Sequence, residues 1–442
     1  GTEVPEPMNI IERAKAFAKS LQEVADRSVW DWRRCPKCGD TDTAKYGTYT
    51  CQPWCLDGRR AFVVQRHKCN RCSRQAGKSV TYSEGSALRV RGSWYAREVH
   101  RLSVDHWLHG RSSLRRTAEF VRSLLGRQER WQLWRPLEAR PNDRAQCHLG
   151  ASTVHRWLDG AGRVGKQTIQ QQLEGVASSG QVGTDGLWAV LRGRAKRVVL
   201  VLVDSVTGLI WPPVVVAGED SSESWAPLFE RAKRAGLDPD LLRGIASDGA
   251  RGLIGYLNRA LEWVNHQRCV LHIWQNLAGE LARRSSEATG GLVGAAAKAA
   301  REQARRELVS LVHGVVDAHS TTEAEVALAK LAAHDLGAGL AQMLSEHLDA
   351  LLVYVLAYNR GLARVAPEWV WRDFRLRVSR GRNHGSDVRL ERASLVWAIY
   401  HNFTPAQWRS ERKQHYRWPG QSPLEVAGAS PGQVSYLDAL GV

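Results

Sequence analysis

A multidomain α/β protein is the fold class this sequence predicts, and three observations predict it. Two Cys-x2-Cys pairs, Cys35/Cys38 and Cys69/Cys72, sit about thirty residues apart near the N-terminus. Beyond Gly183, three strand-like apolar runs follow one another and then alternate with helical patterns. From Trp274 to Ala366 the chain is Ala/Leu-rich, with helical periodicity and little strand signal. A chain of 442 residues has room for several domains and at least one large core.

Composition narrows the class. A hydrophobic share of 43% with 24% charged residues excludes a disordered tail. The balance of 62 Lys+Arg against 45 Asp+Glu gives a net charge of +17 and a pI near 9.8. Each phosphate neutralised by such a surface releases counterions, so a nucleic acid is the expected partner. A membrane is not: Arg197–Val216 is broken by Asp204 and Pro212-Pro213, and Leu348–Tyr358 is too short to span. The N-terminus shows no basic-then-apolar signal pattern, which predicts a cytoplasmic protein. Reduced cysteines in that compartment point to metal binding rather than disulfides.

The elements follow in order. Residues 8–30 read as an amphipathic helix on the spacing of Ile10, Ile11, Ala14, Phe17, Ala18 and Leu21. Residues 31–90 read as a zinc ribbon, because four thiolates in two tight knuckles suit tetrahedral Zn²⁺ held by Cys35, Cys38, Cys69 and Cys72. Cys51 and Cys55 are expected in a loop and not as ligands. Arg33, Arg34, Lys37, Arg59, Arg60, Arg66, Lys68, Arg71 and Arg74 surround the knuckles and suit phosphate contact.

Residues 91–165 carry three helical patterns: Ser93–Gly110, Leu114–Leu125, and a short Ser152–Leu158 that should close at Gly160, with Trp131–Gly150 irregular between. Ser113–Val121 followed by Ala151–Leu158 resembles the helix pair of many transposase and recombinase DNA-binding domains. That resemblance implies a helix-turn-helix in which Ser152, Thr153, His155 and Arg156 reach DNA. The segment between, Gly126–Gly150, is much longer than the usual turn.

The next stretch should form strands at Leu187–Leu191, Arg197–Val203 and Leu209–Val216. A helix Glu223–Ala235 capped by Ser222, a strand Gly244–Ser247, a helix Leu253–Trp263 and a strand Gln267–Val270 complete a β-β-β-α-β-α-β order. Helices Pro367–Arg380 and Val388–Asn402 precede a basic tail. Cleavage of a phosphodiester by two metal ions needs carboxylates that converge from different elements, and strand ends are natural places for them. Asp185 and Asp248 stand at such places, while Asp204 sits where Asp commonly builds a turn.

Ser247-Asp248-Gly249-Ala250, followed by Cys269-Val-Leu-His272 and Ile-Trp-Gln-Asn-Leu, resembles the bacterial Mutator-like transposases and their eukaryotic relatives. The resemblance runs from about Gly183 to Asn402. It implies an RNase H-like catalytic core whose first part is 180–273, an all-α insertion over 274–366, and final core helices with a basic tail over 367–442. It also implies that Asp185 and Asp248 are the first two members of an acidic triad holding Mg²⁺ or Mn²⁺. The family's glutamate opens a helix and has a basic residue seven positions on. Glu368 with Arg375 fits; the rival Glu391 has Ala398 there. Upstream, the family's Asn-Asn-x-x-Glu is replaced by Ala363-Arg-Val-Ala-Pro-Glu368.

Glu368, Arg372 and Arg375 share one helical face, and Val370, Trp371, Phe374 and Val378 form the apolar one. Arg372 and Arg375 are thereby placed to meet DNA. Cys269 reads as a buried residue and His272 as one that orients a triad carboxylate or meets the scissile phosphate. Trp369 suits packing against the insertion better than stacking on an unpaired base. The resemblance further implies double-stranded transposon-end DNA and target DNA as partners, and a homodimer or larger assembly at the bacterial nucleoid. Two other functions share many of these features: a non-catalytic regulator derived from a transposase, and an RNase H-like nuclease without transposition.

Overall fold

A computed structural model of the chain describes residues 33–83, 90, 93–132, 149–173, 175–193, 195–356, 362–364, 368–378, 384–405, 420–429 and 434–442. The N-terminal helix expected at 8–30 lies outside the described residues, as does most of the basic tail. The chain divides into two compact units, residues 1–157 with 442, and residues 158–441.

In the first unit, β1 (Thr43–Cys51) pairs antiparallel with β4 (Phe62–Cys69), which pairs with β5 (Thr81–Ser83). A bulge between Lys45 and Gly47 bends β1, with Gly47 at φ 113°, a conformation glycine adopts without strain. A two-residue hairpin, β2 (Trp54–Cys55) and β3 (Gly58–Arg59), fills the connection. Cys51 and Cys55 therefore lie in strands, not in the loop expected for them. The short helix α1 (Asn70–Ala76) starts at Cys69 and stops where Gly77 turns left-handed at φ 61°.

Helices α2 (Arg97–His109) and α3 (Leu114–Gln132) are joined by only four residues, 110–113, and His106 stacks on Phe120 at 4.0 Å between them. The tight helix-to-helix turn thus lies between α2 and α3. Of the expected pair, Leu114–Leu125 with Ser152–Leu158, the first helix runs on to Gln132, and residues 133–148, which connect it to the second, lie outside the described residues.

The third expected helix is also much longer. α4 spans Ala151–Leu173 and passes through Gly160 without stopping. Its glycines serve packing instead: a Cβ on Gly162 would fall 2.6 Å from the Arg392 carbonyl oxygen, and one on Gly165 2.8 Å from the Ile399 side chain. Close helix approach has overridden the local tendency of glycine to end a helix.

The second unit is built on a five-stranded sheet. β6 (Gln181–Val190), β7 (Lys196–Asp204) and β8 (Val214–Val216) form an antiparallel meander. β9 (Gly244–Ser247) and β10 (Asn265–Arg268) add in parallel beside β6, giving the order β10-β9-β6-β7-β8. Residues Val198–Asp204 are buried throughout, as a continuous apolar run covered on both faces requires. β6 begins before Asp185, which sits inside the strand opposite Val201 rather than at its start.

Between β8 and β9 lies α5 (Ser222–Arg234), and between β9 and β10 lies α6 (Arg251–Ala260); Phe229 and Tyr256 stack between them at 4.9 Å. α7 (Val270–Glu287) starts immediately after β10, so His272 lies in the first turn of a helix. With α8 (Gly294–Val316), α9 (Thr321–Ala333), α10 (Ala338–Ser345) and α11 (Leu348–Leu351), it encloses a separate apolar core that includes Leu277, Leu308, Val312 and Leu340. Two helices then return to the sheet, α12 (Glu368–Arg377) and α13 (Asp387–Phe403). Val370, Trp371, Phe374 and Val378 are fully buried, the face the periodicity predicts. Asn402 of α13 bonds both the N–H and the C=O of Ile210, at 2.8 and 2.9 Å, and so satisfies the backbone leading into β8.

Candidate active site

Asp185 projects from a strand whose neighbouring residues are buried, and it is only 5% exposed. Its Oδ2 has no hydrogen-bond partner; the nearest cation is Arg375, at 3.9 Å. Burial, then the charges of Asp248 and Glu368, push its carboxyl well above the ordinary range, against the pull of Arg375.

Asp248 follows the last residue of β9, where the chain leaves the sheet. Its Oδ1 accepts the Ala250 N–H at 3.0 Å, and Gly249 between them takes φ 78°. Ser247 holds this turn from behind: its hydroxyl accepts the Gly249 N–H at 3.0 Å and meets His266 Nε2 at 2.8 Å.

Glu368 is the first residue of α12, where a carboxylate also complements the helix dipole. The buried apolar face of that helix fixes where Glu368 emerges. Its Oε1 is buried without a hydrogen-bond partner, 3.6 Å from His272 Nε2. Cys269, fully buried ahead of α7, completes a group in which the Cys269, His272 and Glu368 donor atoms lie within 4.8 Å of one another. The Cys-x2-His spacing thus brings both residues to the start of one helix, beside the glutamate.

The other acidic candidates are occupied elsewhere. Asp204 accepts four hydrogen bonds, from Ser179 N at 2.7 Å, Thr207 N at 2.9 Å, Val206 N at 3.0 Å and Ser178 Oγ at 3.3 Å. It builds a turn. Glu391 is paired with Arg231 at 2.5 Å and with Lys166 at 3.7 Å. Trp369 rests on the Gly208 turn and stands 5.2 Å from the His401 ring, a correction to the expected packing against the helical insertion. Arg372 and Arg375 are both exposed on α12.

Sequence reasoning missed Glu219, which lies in the loop before α5. Its carboxylate lies over Gly186, where any Cβ would collide with it. Burial, then the charge of Asp248, push it up to about 7. Among the described residues, the buried carboxylate oxygens with no hydrogen-bond partner belong to Asp185, Glu219 and Glu368. Leaving such an atom unpaired costs about 1–3 kcal/mol, more for a charged group. Hard oxygen donors gathered in this way suit Mg²⁺ or Mn²⁺, whose charge would remove that cost.

In the first unit, the Cys35, Cys38, Cys69 and Cys72 sulfurs lie within 4.8 Å of one another. Cys35 and Cys72 are 3.9 Å apart, and Cys38 and Cys69 are 3.6 Å apart. Ligands on a tetrahedral zinc with Zn–S bonds of about 2.3 Å would be about 3.8 Å apart, so the cluster can hold zinc. Burial raises the Cys35 thiol, but the backbone N–H groups of Lys37 and Cys38 and the side-chain bonds to Cys69 and Cys38 together bring it down to about 7. Cys72 is pushed up to about 12, first by its hydrogen bond to Cys38 and then by burial. Cys55 is not in the cluster; it is pushed up to about 11 by burial and then by Glu98. His67 stacks on Tyr82 at 5.5 Å. Of the residues expected to meet DNA, Ser152 and Arg156 are exposed at the start of α4, while Thr153 and His155 are half-buried.

Residues 213–330 match the family model described as "Transposase, Mutator family". The match begins just before β8, contains Glu219, Asp248, Cys269 and His272, and ends within α9. It supports a Mutator-like transposase and suggests a DNA-processing enzyme. No curated protein matches the chain. Among the described residues, no helix is long and apolar enough to cross a membrane.

Proposed function

We propose that this chain is a metal-dependent DDE transposase: it binds the ends of a transposable element, cleaves there, and joins the freed 3′-hydroxyl to target DNA. The observation that carries the proposal is the convergence of Asp185, Asp248 and Glu368 from β6, the end of β9 and the start of α12, with a buried oxygen that lacks a hydrogen bond on each of Asp185 and Glu368. A protein that only bound DNA would have no use for such a cluster. The sheet supports an RNase H-like core, since a three-stranded antiparallel meander extended by two parallel strands beside its first strand is the order that fold requires.

In this proposal Asp185, Asp248 and Glu368 hold two Mg²⁺ or Mn²⁺ ions, which when bound activate the attacking oxygen and stabilise the leaving one. His272 steadies Glu368 from 3.6 Å. Arg375 and Arg372, exposed on the same helix, take phosphates beside the cluster. The zinc ribbon and the helices of residues 91–165, with Ser152, Thr153, His155 and Arg156, supply contacts to the element's ends. Both ends are joined in one assembly of two or more chains. The setting is the bacterial nucleoid.

The test uses end DNA of the element and full-length protein with Mg²⁺. Asp185→Asn, Asp248→Asn and Glu368→Gln should each lower cleavage and strand transfer by orders of magnitude, with end binding nearly unchanged. A fragment of residues 30–165 should bind the same DNA with affinity that falls steeply as salt rises. Normal cleavage by all three variants would overturn the proposal. Cleavage without strand transfer in the unmodified protein would leave a nuclease.

A further inference from the structure

We propose that Glu219 is a fourth carboxylate of the acidic site and holds a divalent cation together with Asp185 and Asp248. This rests on the metal-dependent reading above and extends it to a residue outside the triad.

The placement of Glu219 is built from several directions. Gly186, the residue after Asp185, has no Cβ, and the Glu219 carboxylate occupies the space one would need. Gly252, near the start of α6, leaves room in the same way for the Glu219 backbone carbonyl. That carbonyl accepts the Trp225 indole N–H at 2.9 Å. Two glycines and a tryptophan from three elements thus bring this loop residue against the strand that carries Asp185.

The carboxylate itself is half satisfied. Oε1 accepts the Trp188 indole N–H at 3.2 Å, while Oε2 is buried with no partner. A carboxylate that only shapes a loop uses both oxygens, as Asp204 does with its four donors. Asp185 is the second, independent observation: it is 5% exposed, no hydrogen bond reaches its Oδ2, and the charges of Asp248, Glu368 and Glu219 bear on it with only the exposed Arg375, 3.9 Å away, opposing them. One exposed guanidinium does not offset several carboxylates with oxygens that lack hydrogen bonds, and a divalent cation among them would.

Manganese alone is the probe, with the full chain and no DNA. Bound Mn²⁺ is measured by electron paramagnetic resonance of the free ion, and folding by circular dichroism. Glu219→Gln keeps the shape and the Trp188 hydrogen bond but removes the charge; it should weaken Mn²⁺ binding at least ten-fold or remove one bound ion. Wild-type Mn²⁺ binding in Glu219→Gln, with binding lost in Asp185→Asn and Asp248→Asn, would overturn the role of Glu219 and leave the triad standing. Wild-type binding in all three variants would overturn the metal reading as well.

A second measurement does not depend on altering a carboxylate. Terbium bound in place of manganese should be excited through Trp188, which touches Glu219 and is 51% exposed. Trp188→Phe should then lower the sensitised emission markedly. Unchanged emission would place the ion away from Glu219 and overturn the proposal.

Discussion

His272 Nε2 stands 3.6 Å from Glu368 Oε1, and the two residues occupy the first turns of helices that begin on either side of the all-α segment. Each contributes a buried polar atom without a hydrogen bond, Nδ1 of His272 and Oε1 of Glu368. In the proposed site the imidazole would hold the carboxylate in position, although residues 287–348, most of the chain between them, form helices of a separate apolar core.

Replacing His272 with alanine should raise the Mg²⁺ concentration for half-maximal cleavage by roughly 10- to 100-fold, the usual effect of losing a group that orients a ligand. Cleavage at saturating Mg²⁺ should recover most of its rate. A loss that saturating Mg²⁺ does not repair would mean that His272 acts on the phosphate instead.

Glu391→Gln should give the opposite pattern from Glu368→Gln. It breaks a largely buried ion pair with Arg231, at 2.5 Å, and should destabilise the fold by about 1–3 kcal/mol. Its cleavage rate per folded molecule should remain normal. Thermal melting and cleavage measured on the same samples separate the two variants, and a well-folded but inactive Glu391→Gln would move the triad to that residue.

Purified protein should contain one zinc per chain, lost in a Cys38→Ser/Cys72→Ser double variant and retained in Cys51→Ser. Elemental analysis decides this. Because the four cysteines and Tyr82 make up the small core beside the β1-β4-β5 sheet, and zinc among them would hold it together, chelation should also unfold that sheet.

His401 is half-buried between Trp369 and Trp397 and donates from Nε2 to the Gly208 carbonyl at 3.0 Å; desolvation pushes it down to about 4, with Asp373 and the Gly208 bond opposing and Arg377 assisting. Its folded value lies below the unfolded value of about 6.5, so its contribution is fully present above pH 6.5 and is lost as pH falls toward 4. The unfolding free energy should decline by roughly 3 kcal/mol over that window. In His401→Gln the decline should be shallower; equal slopes in denaturant titrations at pH 6.5 and 4.5 would refute the assignment.

Much of the site was legible because its signals are local. Cys35/Cys38 and Cys69/Cys72 announce their chemistry by spacing alone, since each knuckle is one tight turn. Asp248 could be read from the strand it ends and the glycine after it. Glu368 could be placed because an amphipathic helix must bury one face, and Val370, Trp371 and Phe374 fix which face remains for the carboxylate. The helix boundary expected at Gly160 failed for a non-local reason, the approach of Arg392 and Ile399 to Gly162 and Gly165.

The sequence by itself determined where the thiolates and the carboxylates stand along the chain, and the order of most of the elements that bear them. Only the tertiary structure decided which carboxylates share a site. It gave Asp204 and Glu391 other partners, and left Asp185 and Glu368 each with a buried oxygen that no hydrogen bond reaches, beside Arg375 and His272 respectively. It also brought Glu219 from an unremarkable loop to the face of Gly186. The reason is physical: periodicity and spacing report the direction of a side chain from its own element. Whether a carboxylate finds a donor, a cation or another carboxylate depends on residues far away in the chain that the fold sets against it.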